Sequence, residues 1–501
     1  MVISSNSSSS PTNQKIHKDR RMFVGIIWNC AAELKLLLTA LLFLCSLATL
    51  LQFLPSRFLL SPSDLRLCLS DSNVTTLNNS SSQLLPINTD YLFNHGVLKR
   101  SFNPFGSAAY NFILMSAYRG GPNTFAVVGL SSKPLHLYGK PTYQCLWVPH
   151  HDPLNSLSTP GHKILPDWGY GRVYTVVVVN CTFPTLAGAD GKGGQLLLRA
   201  ATNGGGDRTL NITDTILALA ETPQDFANFT AQFTSGPKYD YLYCGSSLYG
   251  NLSPQRVREW LAYHVRLFGA RSHFVIHDAG GVHDGLMQVL RPWMEKGFVT
   301  LQDIREQERF DGYYHNQFLI VNDCLHRYRF AAKWIFFFDV DEFIFVPKKT
   351  TINSILDSLT EFTQFTIEQM PMSNKLCFSQ DAPTAFRKWG FEKLVYKDVK
   401  RGIRRDRKYA VQPLSVFATG VHMSQNIVGK TTHKTEGRIK YFHYHGTIAM
   451  RREPCQQFLN STETTVDGTP YIVDTTMRDI AGAVKRFELK MIGSRLQRTR
   501  Q

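Results

Sequence analysis

After residue 238 the sequence alternates between short apolar runs and longer amphipathic segments, and this alternation limits the fold more than any other feature. Runs typical of strands occur in DYLYCGSSLYG, RSHFVIHDAGG, FVTLQDI and AKWIFFFDVDEF, with helical segments such as SPQRVREWLAYHVRLFG, GLMQVLRPWMEKG and HNQFLIVNDCLHRYR between them. The pattern predicts an α/β domain over residues 238–501, with a mostly parallel sheet covered on both faces. Ligands of such sheets bind beyond the carboxyl ends of the strands. No G-x-G-x-x-G or Walker sequence follows a strand, which argues against a dinucleotide-binding or P-loop enzyme.

One of these strands, in WIFFFDVDEFIF, carries carboxylates at its end. Because strand side chains alternate between faces, Asp339 and Asp341 are predicted to point the same way, and Glu342 elsewhere. Two carboxylates held close together raise each other's pKa unless a cation lies between them. Mn²⁺ or Mg²⁺ would resolve this conflict and leave positions for a phosphate-bearing substrate. The alternative is that the carboxylates only cap the following turn.

A second cluster lies in IKYFHYHGT, where Tyr441, His443 and His445 share one face of a predicted strand. Neutral imidazole is a suitable ligand for Mn²⁺, so either histidine could supply a third metal ligand. A hydrogen-bonded structural histidine is the alternative for each.

The stretch KDVKRGIRRDRKY, residues 397–409, concentrates seven basic side chains. Such a run could clamp a diphosphate or line a path for an acidic polymer. A solvated loop is the alternative. The net charge of +16 likewise favours anionic partners without choosing among them.

The N-terminal part of the chain predicts a membrane anchor. Residues 36–54 form an uncharged, Leu-rich stretch of 19 residues that follows a basic segment. This is long enough to cross a bilayer, and the basic flank predicts a cytosolic tail over residues 1–35. A buried core helix is the alternative. Residues 55–88 are Ser- and Asn-rich and are predicted to form a stem that leads into a lumenal body.

Glycosylation sequons and cysteines agree with a lumenal body in an oxidising compartment. Seven cysteines follow the anchor without C-x-x-C spacing, and Cys145 and Cys181, which flank predicted strands, are the preferred disulfide. A lumenal location also argues against nucleic acid as a partner. The candidate glycosylation sites include Asn73, Asn180, Asn211, Asn228, Asn251 and Asn460.

Residues 89–237 contain short β-prone runs broken by Gly, Pro and Asn, such as NFILMSAY, TFAVVGL and RVYTVVVVN. Strands at this spacing predict a β-sandwich. Its aromatic residues could be stacking platforms for sugars or, more simply, core residues; they include Tyr143, Trp147, Trp168 and Tyr170.

The chain resembles glycosyltransferase family 92 in the blocks REWLAYHVRLFGARSHFVIHD, NDCLHRYRFAAKWIFFFDVDEFI, KYAVQPLSVFATGVHMS and YFHYHGT. It looks in particular like the plant members that lengthen β-1,4-galactan side chains of pectic rhamnogalacturonan I. The resemblance implies a Golgi type II membrane protein with a GT-A catalytic domain, which has a Rossmann-like sheet, and a preceding carbohydrate-binding-like β domain. It also implies inverting transfer from UDP-galactose to the 4-hydroxyl of a terminal β-galactose, dependent on Mn²⁺.

The resemblance also implies roles for individual residues. Asp339 and Asp341 match the metal-binding D-x-D motif, and His443 is the better candidate for the third ligand. Nucleotide or donor contacts are implied for Tyr243, Gly245, Asp278, Arg407, Lys408 and His445. Inversion requires a base on the face of the sugar opposite UDP. Glu392 is the preferred base, Glu368 and Asp406 are its rivals, and a carboxylate paired with a neighbouring Lys is the alternative for all three.

Three alternatives stay open. The donor could be another nucleotide sugar, such as UDP-arabinopyranose. The chain could also be a catalytically silent, membrane-anchored protein that only binds pectin. A homodimer formed through the β domain is compatible with the sequence, although no feature requires it.

Overall fold

The computed structural model describes residues 39, 41–44, 46, 87–106, 110–136, 140–203, 211–399, 407–449, 451–460 and 465–499. The chain divides into two compact units, Met1–Gln83 and Leu84–Gln501. The few described residues of the first unit are helical. All strands and helices named below belong to the second unit.

The predicted fold class is wrong in two respects, of which the first is its single transmembrane helix. None of the helices in the described part of the chain is long and apolar enough to cross a bilayer. Most of the predicted anchor, residues 36–54, lies outside the described residues, as do the predicted tail and nearly all of the stem.

The second respect is the β-sandwich, which is replaced by a single antiparallel sheet of eight strands, β3 to β10. Its strands are ordered β10-β9-β6-β7-β8-β5-β4-β3, so the pairing is continuous where a sandwich would have two sheets. The sheet curves until its ends approach, and Asn111 next to β4 donates a hydrogen bond to Asp214 of β10. Sandwiches and barrels hide the same alternate side chains, so the alternation could not distinguish between them. The strands preceding α1 (Pro223–Thr234) are β1 (Tyr91–Phe93), β2 (Val97–Lys99), β3 (Asn103–Phe105), β4 (Phe112–Arg119), β5 (Thr124–Ser132), β6 (Thr142–Pro149), β7 (Leu157–Ile164), β8 (Tyr174–Thr182), β9 (Gly194–Asn203) and β10 (Asn211–Glu221).

The barrel-like sheet encloses its own apolar core. Cys145 of β6 and Cys181 of β8 form a disulfide across the intervening strand β7. Tyr143 and Trp147 are buried in this core, whereas Trp168 and Tyr170 are exposed. Of the four aromatic residues considered as sugar platforms, only the last two are therefore accessible.

The remainder of the chain forms a second, mixed sheet with the order β1-β2-β13-β12-β11-β14-β19-β16-β23-β15. Strands β2, β13, β12, β11 and β14 are parallel neighbours, β19 runs antiparallel to β14 and β16, and β15 runs antiparallel to β23. The elements are β11 (Tyr239–Leu248), α2 (Pro254–Phe268), β12 (Ser272–Asp278), α3 (Asp284–Glu295), β13 (Val299–Asp303), α4 (Gln317–Arg327), β14 (Ala332–Phe337), β15 (Glu342–Phe345), α5 (Ile352–Asp357), β16 (Gln364–Pro371), β17 (Leu376–Phe378), α6 (Gly390–Lys393), β18 (Tyr396–Asp398), β19 (Lys408–Val411), β20 (Val416–Ala418), β21 (Asn426–Ile427), β22 (Thr431–Thr432), β23 (Lys440–His443), β24 (Gln457–Leu459), β25 (Thr465–Val466), β26 (Thr469–Val473) and α7 (Thr476–Ile492).

Helices cover both faces of this sheet. Trp260 of α2, Leu290 of α3 and Val484 of α7 belong to one apolar core. On the other face, Leu319 of α4 packs in a core that also contains Val128 of the barrel-like sheet. Helix α4 therefore takes part in the core through which the two sheets pack against each other.

A buried ion pair reinforces this junction. Arg100, which follows β2, is fully buried, and its Nη2 atom lies 2.7 Å from Oδ1 of Asp323 in α4. The phenol of Tyr118 in β4 donates to the same carboxylate oxygen at 2.6 Å, and Gln302 accepts from Arg100 at 2.6 Å. Cys324, the residue after Asp323, forms a disulfide with Cys244 of β11. A further disulfide joins Cys377 to Cys455.

Candidate active site

The candidate site begins where β14 ends and the chain turns into β15. The backbone N–H of Asp339 donates to Oε2 of Glu342 at 2.7 Å, and the N–H of Glu342 donates to the carbonyl of Asp339 at 3.1 Å. Residues 339–342 thus form a turn between two strands. Strand alternation does not apply in a turn, so it cannot be the reason for Asp339 and Asp341 to point the same way. Both carboxylates nevertheless lie near the same groups, since, after the larger effect of burial, both contribute to raising the pKa of His443 and of Tyr249.

Asp339 binds a lysine. Nζ of the buried residue Lys408 on β19 lies 2.7 Å from Oδ2 of Asp339 and 3.7 Å from Oε2 of Glu342. Contrary to the prediction, Glu342 therefore belongs to the same cluster as Asp339. The sequence placed Lys408 near the donor phosphates, and in the structure it neutralises these carboxylates.

Burial and charge set the protonation of this cluster. Burial would raise the pKa of Asp339, but Lys408 and the hydroxyl of Ser246 outweigh it and lower the pKa to about 2. Burial and the neighbouring charge of Asp339 raise the pKa of Glu342 to about 8, although Lys408 opposes the shift. Burial would lower the pKa of Lys408, but the two carboxylates raise it. Asp339 is thus ionised and Lys408 charged near neutral pH.

A bulge in β11 delivers Ser246 to this cluster. The pairing of β11 with β12 shifts register between Cys244 and Ser247, and Oγ of Ser246 lies 2.6 Å from Oδ1 of Asp339. A Cβ atom on Gly245 would lie only 1.7 Å from the hydroxyl of Tyr243, so glycine is needed there. Bulges commonly redirect side chains next to functional sites. Gly245, predicted to contact the nucleotide, thus shapes the strand end.

The second cluster contains Asp341, His443 and His445, whose potential ligand atoms all lie within 4.8 Å of one another. Antiparallel pairing of β15 with β23 sets Glu342 opposite His443. The backbone N–H of Gly446 donates to Oδ2 of Asp341 at 2.9 Å, which orients the carboxylate. Asp339 is not one of these three residues, so the two aspartates of the D-x-D motif have different nearest partners.

The carboxylate and the two imidazoles of this second cluster suit a divalent metal ion. Carboxylate oxygens suit Mn²⁺, and imidazole nitrogens bind several divalent first-row metals. Burial would lower the pKa of His443, but Asp341 outweighs this effect and raises the pKa. The negative charge of Asp341 that favours a proton on His443 would equally favour a metal cation at this position. These residues therefore fit the predicted metal, with His445 joining His443 as a candidate ligand.

The predicted nucleotide contacts lie at different depths. Tyr243 is buried, and its ring centroid lies 4.8 Å from those of Trp260 and Phe338. Oδ1 of Asp278 accepts the backbone N–H groups of Gly280 at 2.9 Å and Val282 at 3.0 Å. In the structure Tyr243 packs in the apolar core beneath β11, and Asp278 holds the loop after β12 through these two hydrogen bonds.

Arg407 is the first described residue after a gap that includes Asp406. Its Nη1 atom donates to the carbonyl of His433 at 2.8 Å, and Nη2 lies 3.6 Å from Glu436. Asp406 and most of the basic stretch at 397–409 thus lie outside the described residues.

The two described candidates for the base are outside both clusters. Glu392 accepts the backbone N–H of Trp389 at 3.0 Å and forms an ion pair with Lys485 of α7. Glu368 lies on β16 next to Gln369, whose side chain contacts Nδ1 of His443. Because neighbouring strand residues face opposite ways, Glu368 lies on the face of β16 away from that contact.

A strained loop borders the site on its other side. Tyr314, His315 and Asn316 have consecutive φ values of 51°, 51° and 55°. Left-handed conformations of non-glycine residues cost roughly 1–3 kcal/mol each and concentrate at functional sites. Asn316 secures the loop by donating to Phe310 O at 3.0 Å. The next residue, Gln317, is 3.4 Å from Oδ1 of Asp339.

Tyr249 stacks on His315 with ring centroids 3.8 Å apart. Both rings border the carboxylates, since Asp339 and Asp341 contribute to raising the pKa of Tyr249 after the larger effect of burial. Sequence reasoning missed Ser246, Tyr249, Gln317 and Gln369. No spacing motif marks them. A bulge brings Ser246 to the site, a left-handed loop precedes Gln317, and the pairing of β16 with β23 places Gln369 beside His443.

The glycosylation candidates differ in accessibility. Asn228, Asn251 and Asn460 are exposed, whereas Asn180 is half-buried within β8. The side chain of Asn211 and all of Asn73 lie outside the described residues.

Comparison with known proteins agrees with this organisation. The model of the family described as "Glycosyltransferase family 92" matches residues 239–486, beginning at the first residue of β11. The chain is 60% identical over 499 residues to galactan beta-1,4-galactosyltransferase GALS3 of Arabidopsis thaliana, an alignment that covers 97% of this chain and 98% of that protein. It is 59% identical to GALS2 of the same plant, with the same coverage. Beta-1,4-galactosyltransferase galt-1 of Caenorhabditis elegans is 26% identical over 41% of this chain and 49% of its own length.

Proposed function

Because this chain belongs to glycosyltransferase family 92 and is a glycosyltransferase, we propose that it transfers galactose from UDP-galactose to the 4-hydroxyl of a terminal β-galactose, lengthening β-1,4-galactan. The observation that carries the proposal is the identity of 60% across nearly the whole chain to a protein named for that reaction. The proposed acceptor in the cell is a galactan side chain of a pectic polymer.

We propose that Asp341, His443 and His445 hold Mn²⁺, with Mg²⁺ as the alternative. When bound, the ion would neutralise charge that develops on the departing diphosphate. The backbone N–H of Gly446 keeps the Asp341 carboxylate oriented. Asp339 serves a different purpose in this proposal, because its bond to Lys408 fixes the turn that carries Asp341.

The bridge between Lys408 and the two carboxylates also limits what the lysine can do. Its charge is offset by Asp339, so it contributes less to phosphate binding than an unpaired cation would. Arg407, whose side chain is partly exposed, is the better candidate for a direct phosphate contact.

We propose that the transfer inverts the anomeric centre, which requires a base on the acceptor side of the galactose. The candidates are Glu368, Glu392 and Asp406. The bonds of Glu392 to Trp389 and Lys485 argue for a structural role.

Replacing Glu392 by Gln is accordingly expected to leave the transfer rate within about threefold of the original, because the amide preserves most of the contacts. Initial rates with a galacto-oligosaccharide acceptor test this, with Glu368→Gln measured in parallel. A loss of about a hundredfold in Glu392→Gln, with unchanged melting temperature, would instead identify Glu392 as the base.

The described disulfides support an oxidising location, for which we propose the Golgi lumen. Three pairs join Cys145 to Cys181, Cys244 to Cys324, and Cys377 to Cys455. Structural disulfides form and persist in secretory compartments and are rare in the cytosol.

The decisive experiment supplies the purified protein with UDP-galactose, Mn²⁺ and a fluorescent β-1,4-galacto-oligosaccharide. The expected result is a ladder of products, each one galactose longer, that disappears on digestion with a β-1,4-galactanase. A parallel reaction with UDP-arabinopyranose tests the donor. A ladder only with another donor, or only on another acceptor, would refute the proposed assignment.

A further inference from the structure

A large cleft lies between α7, the segment before α6, and the start of α2, with a volume of about 820 Å³. Its lining is rich in cations. They are Arg258, Arg387, Lys388, Lys485 and Arg486. Glu453 and Glu488 are the acidic residues of the lining, so the cleft carries a net positive charge.

Three of these cations have carboxylate partners. Nε of Arg258 lies 2.7 Å from the buried carboxylate of Glu488, Lys485 pairs with Glu392, and Lys388 pairs with Asp381. These bonds hold the wall of the cleft in place.

The other two cations, Arg387 and Arg486, are exposed. Within the described ranges neither forms an ion pair. Guanidinium groups bind planar carboxylates with two parallel hydrogen bonds. These two side chains are therefore available to carboxylates of a ligand.

An aromatic surface accompanies these charges. Phe386 is 73% exposed, and the guanidinium of Arg387 lies 5.2 Å from the centre of its ring. Trp389 below is nearly buried, with Arg258 and Lys485 packed at 5.3 Å and 5.7 Å from its ring centre. Leu489, which is 50% exposed, lines the same cleft, so Phe386 is not its only exposed apolar side chain. A flat ring beside separated cations suits a chain of sugar rings that carry acid groups.

We propose that this cleft binds a carboxylate-bearing polysaccharide, a uronate-rich stretch of the acceptor molecule, through Arg387, Arg486 and the ring of Phe386. The ligand class rests on the proposed function, because an enzyme that extends a glycan needs to hold that glycan. The size of the cleft favours a polymer segment over a single phosphate. The proposed metal ligands lie elsewhere, so the cleft is a second site, separate from the donor site.

Consecutive residues connect the lining of the cleft with the candidate active site. Trp389 lines the cleft, while the next residues, Gly390 and Phe391 of α6, line a small cavity together with Asp341. A polymer held in the cleft would raise the effective concentration of its branches near the metal ligands.

The test measures binding of a fluorescently labelled oligogalacturonide by anisotropy, in the full protein and in the double variant Arg387→Gln/Arg486→Gln. We expect the variant to bind about tenfold more weakly and with a shallower dependence on salt, because two charge contacts are lost. The matched control is Arg172→Gln/Arg266→Gln, which removes two exposed arginines outside the lining and is expected to change binding less than about twofold.

Two further ligands make the result decisive. A neutral galacto-oligosaccharide should bind equally to all variants, and the galactose ladder on that short acceptor should be unchanged. Dextran sulfate tests for general polyanion binding. Equal losses in both double variants, unchanged oligogalacturonide binding, or the same loss for dextran sulfate would overturn the proposal. Because binding is read without UDP-galactose, a failure of transfer and a failure of the cleft give different results.

Discussion

Replacing Asp341 by Asn is expected to lower galactosyl transfer by about a hundredfold or more and to weaken Mn²⁺ binding by at least about tenfold. The carboxylate converges with His443 and His445, and the amide keeps its size while removing its charge. Initial rates at saturating UDP-galactose measure the first effect, and titration of Mn²⁺ without substrates measures the second.

The control for this prediction is Asp357→Asn, which removes an exposed carboxylate paired with Lys333 at 3.6 Å. Both its rate and its Mn²⁺ affinity should stay close to the original. Unchanged Mn²⁺ affinity in Asp341→Asn would contradict the metal site, even if activity fell. Asp339→Asn offers a sharper comparison. Because Asp339 already bonds to Lys408, this variant should lose less Mn²⁺ affinity than Asp341→Asn.

Replacing Asp323 by Asn is expected to destabilise the fold by about 3–5 kcal/mol, since the fully buried Arg100 loses its buried countercharge and keeps only the partly exposed Asp90, 2.8 Å from its Nε. The measurement is the free energy of unfolding in urea with the disulfides intact. The matched control is Asp240→Asn, which breaks a 2.9 Å pair with the exposed Arg271 and should cost no more than about 1 kcal/mol. Similar losses in the two variants would contradict the importance of the buried pair.

The same pair predicts how stability responds to acid. Burial would raise the pKa of Asp323, but Arg100 outweighs it and lowers the pKa far below its usual range. A carboxyl whose pKa is lower in the folded state stabilises the fold above its unfolded pKa of about 3.9, and this contribution disappears as the pH falls further. Asp323→Asn should therefore lose much of its disadvantage at the lowest pH at which both proteins fold.

The sequence predicted local features better than long-range pairing. The alternation after residue 238 corresponds to β11, β12, β13 and β14 with their connecting helices, because each parallel pair needs a crossover of predictable length. The remaining strands of that sheet, β19, β16, β23 and β15, pair across long intervals of chain. Periodicity also could not separate a sandwich from the curved single sheet of β3 to β10.

The candidate site shows the same division. His443 and His445 were found because their spacing fits one face of a strand; in the structure β23 ends at His443, and His445 lies in the turn that follows, yet the two still converge with Asp341. Asp339 and Asp341 were found as a motif, but the turn between β14 and β15 sends them to different partners. Ser246 and Gln317 depend on a register shift and on three left-handed residues.

Strands β1 and β2 precede the barrel-like sheet in the chain but complete the edge of the other sheet, where β2 pairs with β13. In chain order the barrel-like sheet is thus inserted into the other sheet, whose strands β1 and β2 come before it and whose remaining strands come after it. A fragment that starts at residue 239, where the family match begins, would lack Arg100 and leave β13 as an unprotected edge. The family match therefore begins at residue 239, whereas the sheet to which it belongs begins with β1 at residue 91.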